Sequence, residues 1–396
     1  MQRAELLARC SDEAGRTTRL YGTAAHAAAS ETLTGWMSAA GMTVERDAVG
    51  NLIGRVEGER PDAPALMLGS HFDSVRDAGR FDGTLGVLVA IAVAERLCAL
   101  GRRPAVPLEV VAFADEEGTR FGTAFLGSAV LAGRFDEADL QRVDADGVSL
   151  GDAISESGGD PARLTAAARA PSAYVEVHIE QGPVLDDSDL ALGVVTAIAG
   201  QTRAVLRFSG VPGHAGTVPV ASRHDALCAA AELVLAAEAL AREAPPLVAT
   251  VGRLAVAPGA PNVIPGSAEL SLDVRHPDDA QRAAAVERLR ERAREAAEAR
   301  GVGVEWEGHL DQSAVRCDEA LSERLHEAAE AAGTRPARLP SGAGHDAAVM
   351  AAIAPVAMLF VRCAGGVSHH PGESVSEADV ALAVDALTVF VEDFAP

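Results

Sequence analysis

The sequence predicts an α/β protein that carries a smaller, inserted α+β domain. In the first part of the chain, short and nearly continuous apolar runs, typical of buried strands, alternate with apolar helical segments. From about residue 199 the strands alternate between apolar and polar residues and lie beside two long helices, a pattern typical of an α+β domain. We therefore expect one domain in two parts, residues 1–199 and 313–396, and a second domain over residues 200–312. A chain of 396 residues is long enough for both.

The first domain is predicted to begin with helices over residues 1–40, including an amphipathic helix over 24–38 that Gly41 ends. The elements predicted after it are strands over 43–49 and 51–56, a strand from 66, a helix over 85–100, a strand over 108–113, surface helices and loops over 138–172, and a strand over 174–182. The second part is predicted to contain a helix over 321–332, a loop over 339–346, a buried strand over 356–361 and a closing helix over 378–393.

The inserted domain is predicted to consist of two strand-and-helix units. Its expected elements are strands over 201–209, 247–256 and 268–275, a glycine-rich loop over 211–217, and helices over 225–244 and 279–300. His214, Asn262 and Arg275 are its candidate functional residues, although each residue type is more often found at a surface or turn. The guanidinium of Arg275 can hold a carboxylate through two hydrogen bonds.

The composition limits the classes of partner. Asp and Glu outnumber Lys and Arg by 57 to 34, which gives a formal net charge of −23. This charge argues against nucleic acid, because phosphate binding needs Lys and Arg, and against an anionic membrane surface. The sequence has no apolar run of the roughly 18 residues that a membrane helix needs. Five well-separated cysteines and an N-terminus unlike a signal peptide lead us to expect a cytoplasmic protein.

Polar residues suited to metal binding follow four predicted strands. In an open α/β sheet, ligands bind at the carboxyl ends of the strands. The candidates are His71 with Asp82, Glu116 with Glu117, His178, and His369. Imidazole and carboxylate groups suit zinc, manganese or cobalt. Together they supply five ligands and a base, which is the set that a two-metal hydrolase requires.

The residue types also suggest separate tasks. Asp82 offers two oxygens that can bridge a pair of ions, and Asp73 can orient the ring of His71. Glu117 as ligand and Glu116 as general base is the natural division, because a base must reach the water and stay off the metal. Singly, each motif has an ordinary interpretation, with His71 as a hydrogen-bonding core residue and the Glu pair as a solvated acidic turn. The combination favours a metal site.

The motifs occur in the order found in the hydantoinase/carbamoylase family of dinuclear metal amidohydrolases, which belongs to an aminoacylase- and peptidase-like superfamily. They are GSHFDSV, GRFDGTLGV, FADEEGTRF, VHIEQGPVL, GHAGTVPV, NVIPG, DVRHPDD, SGAGHDA and GVSHHPGE. The resemblance extends from about His71 to Glu373. It implies a mixed-sheet, zinc-peptidase-like catalytic domain with an inserted α+β lid and dimerisation domain. Histidine in HIEQG, where peptidase relatives carry a carboxylate, favours the carbamoylase branch.

The resemblance further implies a role for each site residue. Two divalent ions are expected, Mn²⁺ or Zn²⁺ with Co²⁺ or Ni²⁺ as further options, one held by His71, Asp82 and His178 and the other by Asp82, Glu117 and His369. Glu116 is expected to act as general base and then acid, with Asp73 supporting His71. The residues expected to bind a small ureido-acid substrate are Gln181, Asn262, Arg275 at the carboxylate, and His214, which would reach the scissile carbonyl oxygen from the partner subunit of a homodimer.

The implied reaction is hydrolysis of a ureido C–N bond, which releases ammonia and carbon dioxide. Residues 75–79 and 113–133 look most similar to allantoate amidohydrolases, so allantoate is our hypothesis for the substrate. The main alternative is an N-carbamoyl-L-amino acid. An aminoacylase or dipeptidase activity is a further alternative that HIEQG disfavours. A non-catalytic dimeric binding protein is the last, and the presence of all five ligands and of Glu116 argues against it.

Overall fold

The computed structural model describes residues 1–395. Its α-helices in this range are α1 (Gln2–Ala8), α2 (Ala24–Ala39), α3 (Thr84–Ala99), α4 (Leu126–Leu131), α5 (Leu150–Glu156), α6 (Val184–Asp187), α7 (Ala226–Glu243), α8 (Asp279–Ala299), α9 (Glu319–Ala331), α10 (Asp346–Met350) and α11 (Glu377–Asp393). Its strands are β1 (Thr43–Arg46), β2 (Leu52–Val56), β3 (Leu66–His71), β4 (Leu108–Phe113), β5 (Ala173–Ile179), β6 (Leu192–Ile198), β7 (Gly200–Ser209), β8 (Gly213–His214), β9 (Val248–Ala257), β10 (Val263–Ile264), β11 (Ser267–His276), β12 (Gly303–Gln312), β13 (Val315–Arg316), β14 (Ala337–Ser341) and β15 (Val356–Val361).

The chain divides into two compact units. The sheet unit comprises Met1–Thr196, Cys317–Leu339 and the chain from Gly344 onward. The inserted unit comprises Ala197–Arg316 together with the short segment Pro340–Ala343. Each unit has its own cluster of buried apolar side chains, so each is described separately below.

The sheet unit is built on a mixed sheet in which the strand order includes β1-β2-β4-β3-β5-β15-β6. The neighbours β4, β3, β5 and β15 are parallel, whereas β2 and β6 pair antiparallel with the strands beside them. Every residue of β3, β4, β5 and β15 is buried, as their apolar sequences predict. Helix α3 packs on β3 and on α11, which covers the same core. The predicted α/β class with a mixed sheet is confirmed.

The parallel register brings strand ends to one edge of the sheet. His71 at the end of β3 lies opposite Phe113 at the end of β4. His178 in β5 lies opposite Phe360 in β15. The polar segments that follow these strands therefore emerge side by side, as expected for a ligand site in an open sheet.

The inserted unit is an antiparallel sheet of order β12-β7-β11-β9, with helices α7 and α8 packed on it. Buried residues alternate along β7 and β11, and this face meets the helices in a core that includes Leu206, Leu233, Leu270 and Leu289. The short strands β8 and β10 pair separately, with His214 opposite Val263.

Some elements differ from the expectation. The predicted strand over 43–49 ends at Arg46, because the carboxylate of Asp47 accepts the backbone N–H groups of Val49, Gly50 and Asn51 and forms a turn. Strand β12 was missed: its apolar alternation is limited to Val304 and Trp306, which are half-buried against the core, and most of the strand is polar and exposed. The predicted loop over 339–346 contains the end of β14 and the start of α10.

Candidate metal centre

Asp82 lies between two histidines at the edge of the mixed sheet. The Nε2 atom of His178 is 3.2 Å from Asp82 Oδ1, and Nε2 of His71 is 3.7 Å from the same oxygen. All three side chains are buried, with 2%, 5% and 2% exposure for His71, Asp82 and His178. Their ligand atoms all lie within 4.8 Å of one another. Two imidazoles and a carboxylate at these separations form a set that fits a divalent ion such as zinc or manganese.

The other ring nitrogen of each histidine has its own partner. Nδ1 of His71 lies 3.2 Å from Asp73 Oδ1, and Nδ1 of His178 lies 2.9 Å from the carbonyl oxygen of Ile179. A carbonyl oxygen only accepts, so Nδ1 of His178 carries the proton, and the unprotonated Nε2 accepts the backbone N–H of Gly83 at 3.3 Å beside Asp82. This arrangement holds the ring in the tautomer that metal binding requires.

Glycine at position 83 allows this close packing. Gly83 has a φ of +63°, and a Cβ atom there would lie 2.3 Å from the ring of His71. Side chains other than glycine disfavour this φ and have no space beside the ring. Glycine at position 83 is therefore required by the turn that leads into α3.

A second group surrounds the other oxygen of Asp82. Nε2 of His369 is 3.1 Å from Asp82 Oδ2 and 3.5 Å from Oε1 of Glu117. The ligand atoms of Asp82, Glu117 and His369 lie within 4.8 Å of one another. The two oxygens of Asp82 thus face two different groups, which is the arrangement required of a bridging carboxylate. Burial and the nearby Asp82 charge raise the pKa of Glu117 to about 7.

Asp73 connects the two strand ends. Besides facing His71, its carboxylate accepts the backbone N–H groups of Glu116, at 3.0 Å, and of Glu117, at 3.2 Å. It therefore positions a histidine and the Glu116-Glu117 turn together. Glu116, Glu117 and His71 form a further group with ligand atoms within 4.8 Å. Burial raises the pKa of Glu116 well above its usual range, and the charge of Glu117 adds to the effect.

The side-chain amide of Gln181 provides a test of whether these residues suit a cation. Its Nε2 donor is 3.3 and 3.2 Å from the two oxygens of Asp82, 3.2 Å from the hydroxyl of Ser368 and 3.4 Å from Nε2 of His369. A group with partial positive charge thus lies among acceptors contributed by separate loops. Because a divalent cation uses the same oxygen and nitrogen acceptors, the donor set fits one.

Two buried residues behind the site were missed by the sequence reasoning. His345 stacks edge-on against His178 with a ring-centroid distance of 4.6 Å. Glu176 accepts from the hydroxyl of Ser70 at 3.1 Å and from the backbone N–H of Ala347 at 2.9 Å. Period two in β5 places Glu176 on the same face as His178, and this is the signal that could have revealed it.

The three candidate residues of the inserted unit have two different sets of neighbours. His214 is exposed, and Nδ1 of its ring accepts the backbone N–H of Gly216 at 3.0 Å. The carbonyl of Asn262 accepts the backbone N–H of Ala215 at 3.0 Å, so Asn262 and His214 are neighbours. Arg275 lies in β11, where Nε and Nη2 donate to Asp273 at 2.9 and 3.1 Å and Nη1 donates to the carbonyl of Gly342 at 2.7 Å.

Comparison with known proteins agrees with this architecture. Residues 67–393 match the peptidase family M20/M25/M40. An N-carbamoyl-L-amino acid amidohydrolase of Geobacillus stearothermophilus is 41% identical over 376 residues, which cover 94% of this chain and 92% of that protein. A probable allantoate deiminase of Oryza sativa subsp. japonica is 41% identical over 426 residues, covering 98% and 87%. The crystal structure of a hydantoinase/carbamoylase family amidase from Burkholderia multivorans has a TM-score of 0.93 at 35% identity, covering 98% and 95%.

A mixed sheet with histidines and carboxylates gathered at its strand ends, matched by these relatives, defines a metal-dependent amidohydrolase that acts on C–N bonds. The chain belongs to the M20/M25/M40 peptidase family, and its solved relatives include hydantoinase/carbamoylase family amidases. The family resemblance predicted from the motifs is confirmed. Among residues 1–395, no helix is long and apolar enough to cross a membrane.

Proposed function

We propose that the chain hydrolyses the ureido C–N bond of a small carboxylate, with allantoate as the preferred substrate and N-carbamoyl-L-amino acids as the alternative. The observation that carries the proposal is Asp82, whose two oxygens face two different groups of ligand residues beside Glu116. The names of the relatives support it, since they include both allantoate deiminases and N-carbamoyl-L-amino acid amidohydrolases. Both substrate classes contain a ureido group and a carboxylate.

Two divalent ions, Mn²⁺ or Zn²⁺, fit this donor set. The proposed ligands are His71, Asp82 and His178 for one ion, and Asp82, Glu117 and His369 for the other. When bound, such ions supply Lewis acidity, which lowers the pKa of a water molecule and polarises a carbonyl group. Asp73 holds the ring of His71 and the backbone of Glu116 and Glu117 in register with each other.

Glu116 is the proposed general base. Its carboxylate lies within 4.8 Å of ligand atoms of His71 and Glu117, but it belongs to neither group that contains Asp82. Glu116 therefore lies beside the ion sites. From there it takes a proton from the attacking water, whose oxygen forms a bond to the ureido carbon. It then returns the proton to the leaving nitrogen as the C–N bond breaks. The carbamic acid formed decays to ammonia and carbon dioxide.

His214 is the proposed donor to the developing oxyanion, acting in the site of a partner subunit in a homodimer. Because Nδ1 accepts the N–H of Gly216, the ring proton resides on Nε2, which can then donate a hydrogen bond. Gln181 and Asn262 are proposed to bind the polar arms of the substrate. Arg275 is proposed to bind its carboxylate, with Asp273 orienting the guanidinium.

Ammonia release from the purified, Mn²⁺-loaded protein tests the proposal. Allantoate and a panel of N-carbamoyl-L-amino acids are supplied in separate reactions. Turnover of allantoate alone supports the preferred substrate, and turnover of the carbamoyl amino acids alone replaces it with the alternative. Ammonia from neither, with N-acyl amino acids or dipeptides hydrolysed instead, contradicts ureido hydrolysis.

A further inference from the structure

We propose that Glu373 is a positioning residue that sets the geometry of one of the two ion sites; the inference rests on the proposed metal centre. Glu373 is 2% exposed. Its Oε1 accepts the backbone N–H groups of Phe81, at 2.8 Å, and of Asp82, at 3.1 Å. Its Oε2 accepts the hydroxyl of Ser368 at 3.1 Å. One carboxylate therefore joins the loop that carries Asp82 to the loop that carries His369, across a sequence separation of 291 residues.

The packing around Glu373 is tight on the side of the Asp82 loop. A Cβ atom at Gly79 would lie 2.2 Å from the carboxyl carbon of Glu373. The backbone of residues 79–82 therefore lies directly against this carboxylate. Since a carboxylate only accepts hydrogen bonds, two backbone donors and one hydroxyl determine its orientation.

The contacts of Glu373 favour one side of the proposed centre. The hydroxyl of Ser368 is also 3.3 Å from Oδ2 of Asp82, the oxygen that lies 3.1 Å from Nε2 of His369. The other oxygen, Oδ1, faces His71 and His178. Glu373 thus acts, through Ser368, on the group formed by Asp82, Glu117 and His369.

His369 depends on this support more than the other two histidines do. Its side chain is 50% exposed and its backbone has a φ of +53°, a conformation that is uncommon in residues other than glycine. His71 and His178 lie instead in buried strands, where the sheet holds them. Because Asp82 belongs to both sites, loss of Glu373 should weaken both, but it should weaken the ion site of His369 more than the site of His71 and His178.

Calorimetric titration of the metal-free protein with Mn²⁺ tests the proposal without any substrate. We expect two binding events in the wild type. In Glu373→Ala one event weakens by roughly tenfold to a hundredfold, the effect usual for residues that orient metal ligands, and the other weakens clearly less. Glu373→Gln restores most of the affinity, because its amide oxygen can accept both backbone N–H groups and its NH₂ can donate to Ser368. Ser368→Ala, which removes only one contact, weakens the same event less.

Asp47→Ala is the matched control. Asp47 lies in the same unit and also accepts several backbone N–H groups, but in the turn between β1 and β2. We expect both binding events to be unchanged in this variant. Equal weakening of both events in Glu373→Ala, no weakening, failure of Gln to restore the affinity, or the same change in Asp47→Ala would each overturn the inference. A wild-type protein that binds no Mn²⁺ would instead overturn the proposed metal centre itself.

Discussion

Asp73 and Asp82 show how much of the site depends on single carboxylates. Asp82 is shared by the two ligand groups, with one oxygen directed at each. Asp73 belongs to neither of those two groups, yet it faces His71 and accepts the backbone N–H groups of Glu116 and Glu117. A short acidic side chain suits both positions, because it accepts several hydrogen bonds and brings little conformational freedom. Substitutions of Asp73 and of the adjacent Glu116 are therefore expected to affect different quantities, metal binding and turnover.

Glu116→Gln is expected to lower turnover by roughly a hundredfold to ten-thousandfold, because an amide cannot take the proton of the attacking water. The content of bound metal should stay unchanged. Ammonia release and elemental analysis of the dialysed protein measure the two quantities. Glu59→Gln, a change at an exposed position, is the control and should leave both unchanged. Metal loss in Glu116→Gln would show that Glu116 and Glu117 have exchanged roles.

Asp73→Asn is expected to weaken metal binding by roughly tenfold to a hundredfold. The asparagine side chain has one accepting oxygen, so it cannot accept from the backbone of Glu116 and Glu117 and also face His71 as the carboxylate does. Titration with Mn²⁺ measures the change. Wild-type affinity in this variant would show that His71 is held by the sheet alone.

Helix α2 shows how an element outside the site supports the strand ends. His26 is 1% exposed, its Nε2 lies 2.8 Å from the carbonyl oxygen of Ala114, and its ring stacks on Phe72 with a centroid distance of 4.5 Å. Phe72 follows His71 and Ala114 precedes the acidic turn. Burial lowers the pKa of His26 to about 4, so the folded protein favours the neutral ring.

Because of His26, the free energy of unfolding should therefore decrease as the pH is lowered. In the unfolded chain His26 takes up a proton below a pKa of about 6.5, whereas in the folded protein it does so only near pH 4. Lowering the pH from 6.5 to 4 therefore favours the unfolded state. The loss from this residue reaches about 3 kcal/mol at pH 4. Urea unfolding of wild type and of His26→Gln, which keeps a donor to Ala114, measures it between pH 7 and pH 4. Equal pH dependence in the two proteins would contradict this assignment.

Local patterns predicted most helices and strands, but only where burial produces a clear signal. The continuous apolar runs of β4 and β15 and the helical spacing in α2 were recognised at nearly their observed bounds. Strand β12 is an edge strand paired with β7, and only Val304 and Trp306 of it pack against the core, so its apolar signal is short.

On the scale of the whole molecule, two separate cores stabilise the two units. Leu270 belongs to the core of the inserted unit and Leu68 to that of the sheet unit, and both are fully buried. No buried residue is common to the two clusters among the residues described, 1–395. The units are therefore expected to respond separately to changes in their cores.

Leu270→Ala should destabilise the inserted unit by about 2–5 kcal/mol, because the substitution leaves a cavity in its core. Hydrogen exchange should then become faster in α7, α8, β7 and β11, with protection in β3, β4 and β5 retained. Leu68→Ala is the matched variant and should produce the opposite distribution. Equal loss of protection in both units from either variant would show that the chain unfolds as one cooperative body.

The sequence by itself determined the fold class, the family and the residue types at the strand ends. Apolar runs and the polar residues that follow them are local, so His71, Glu116 and His178 could be recognised without knowledge of their neighbours. Only the tertiary structure decided which distant groups meet. Glu373 reaches the backbone of Asp82 across 291 residues, and Glu176 and His345 lie behind His178. These contacts depend on the order of the strands in the sheet. The strand β15 lies beside β5 in the order that buries the sheet as a whole.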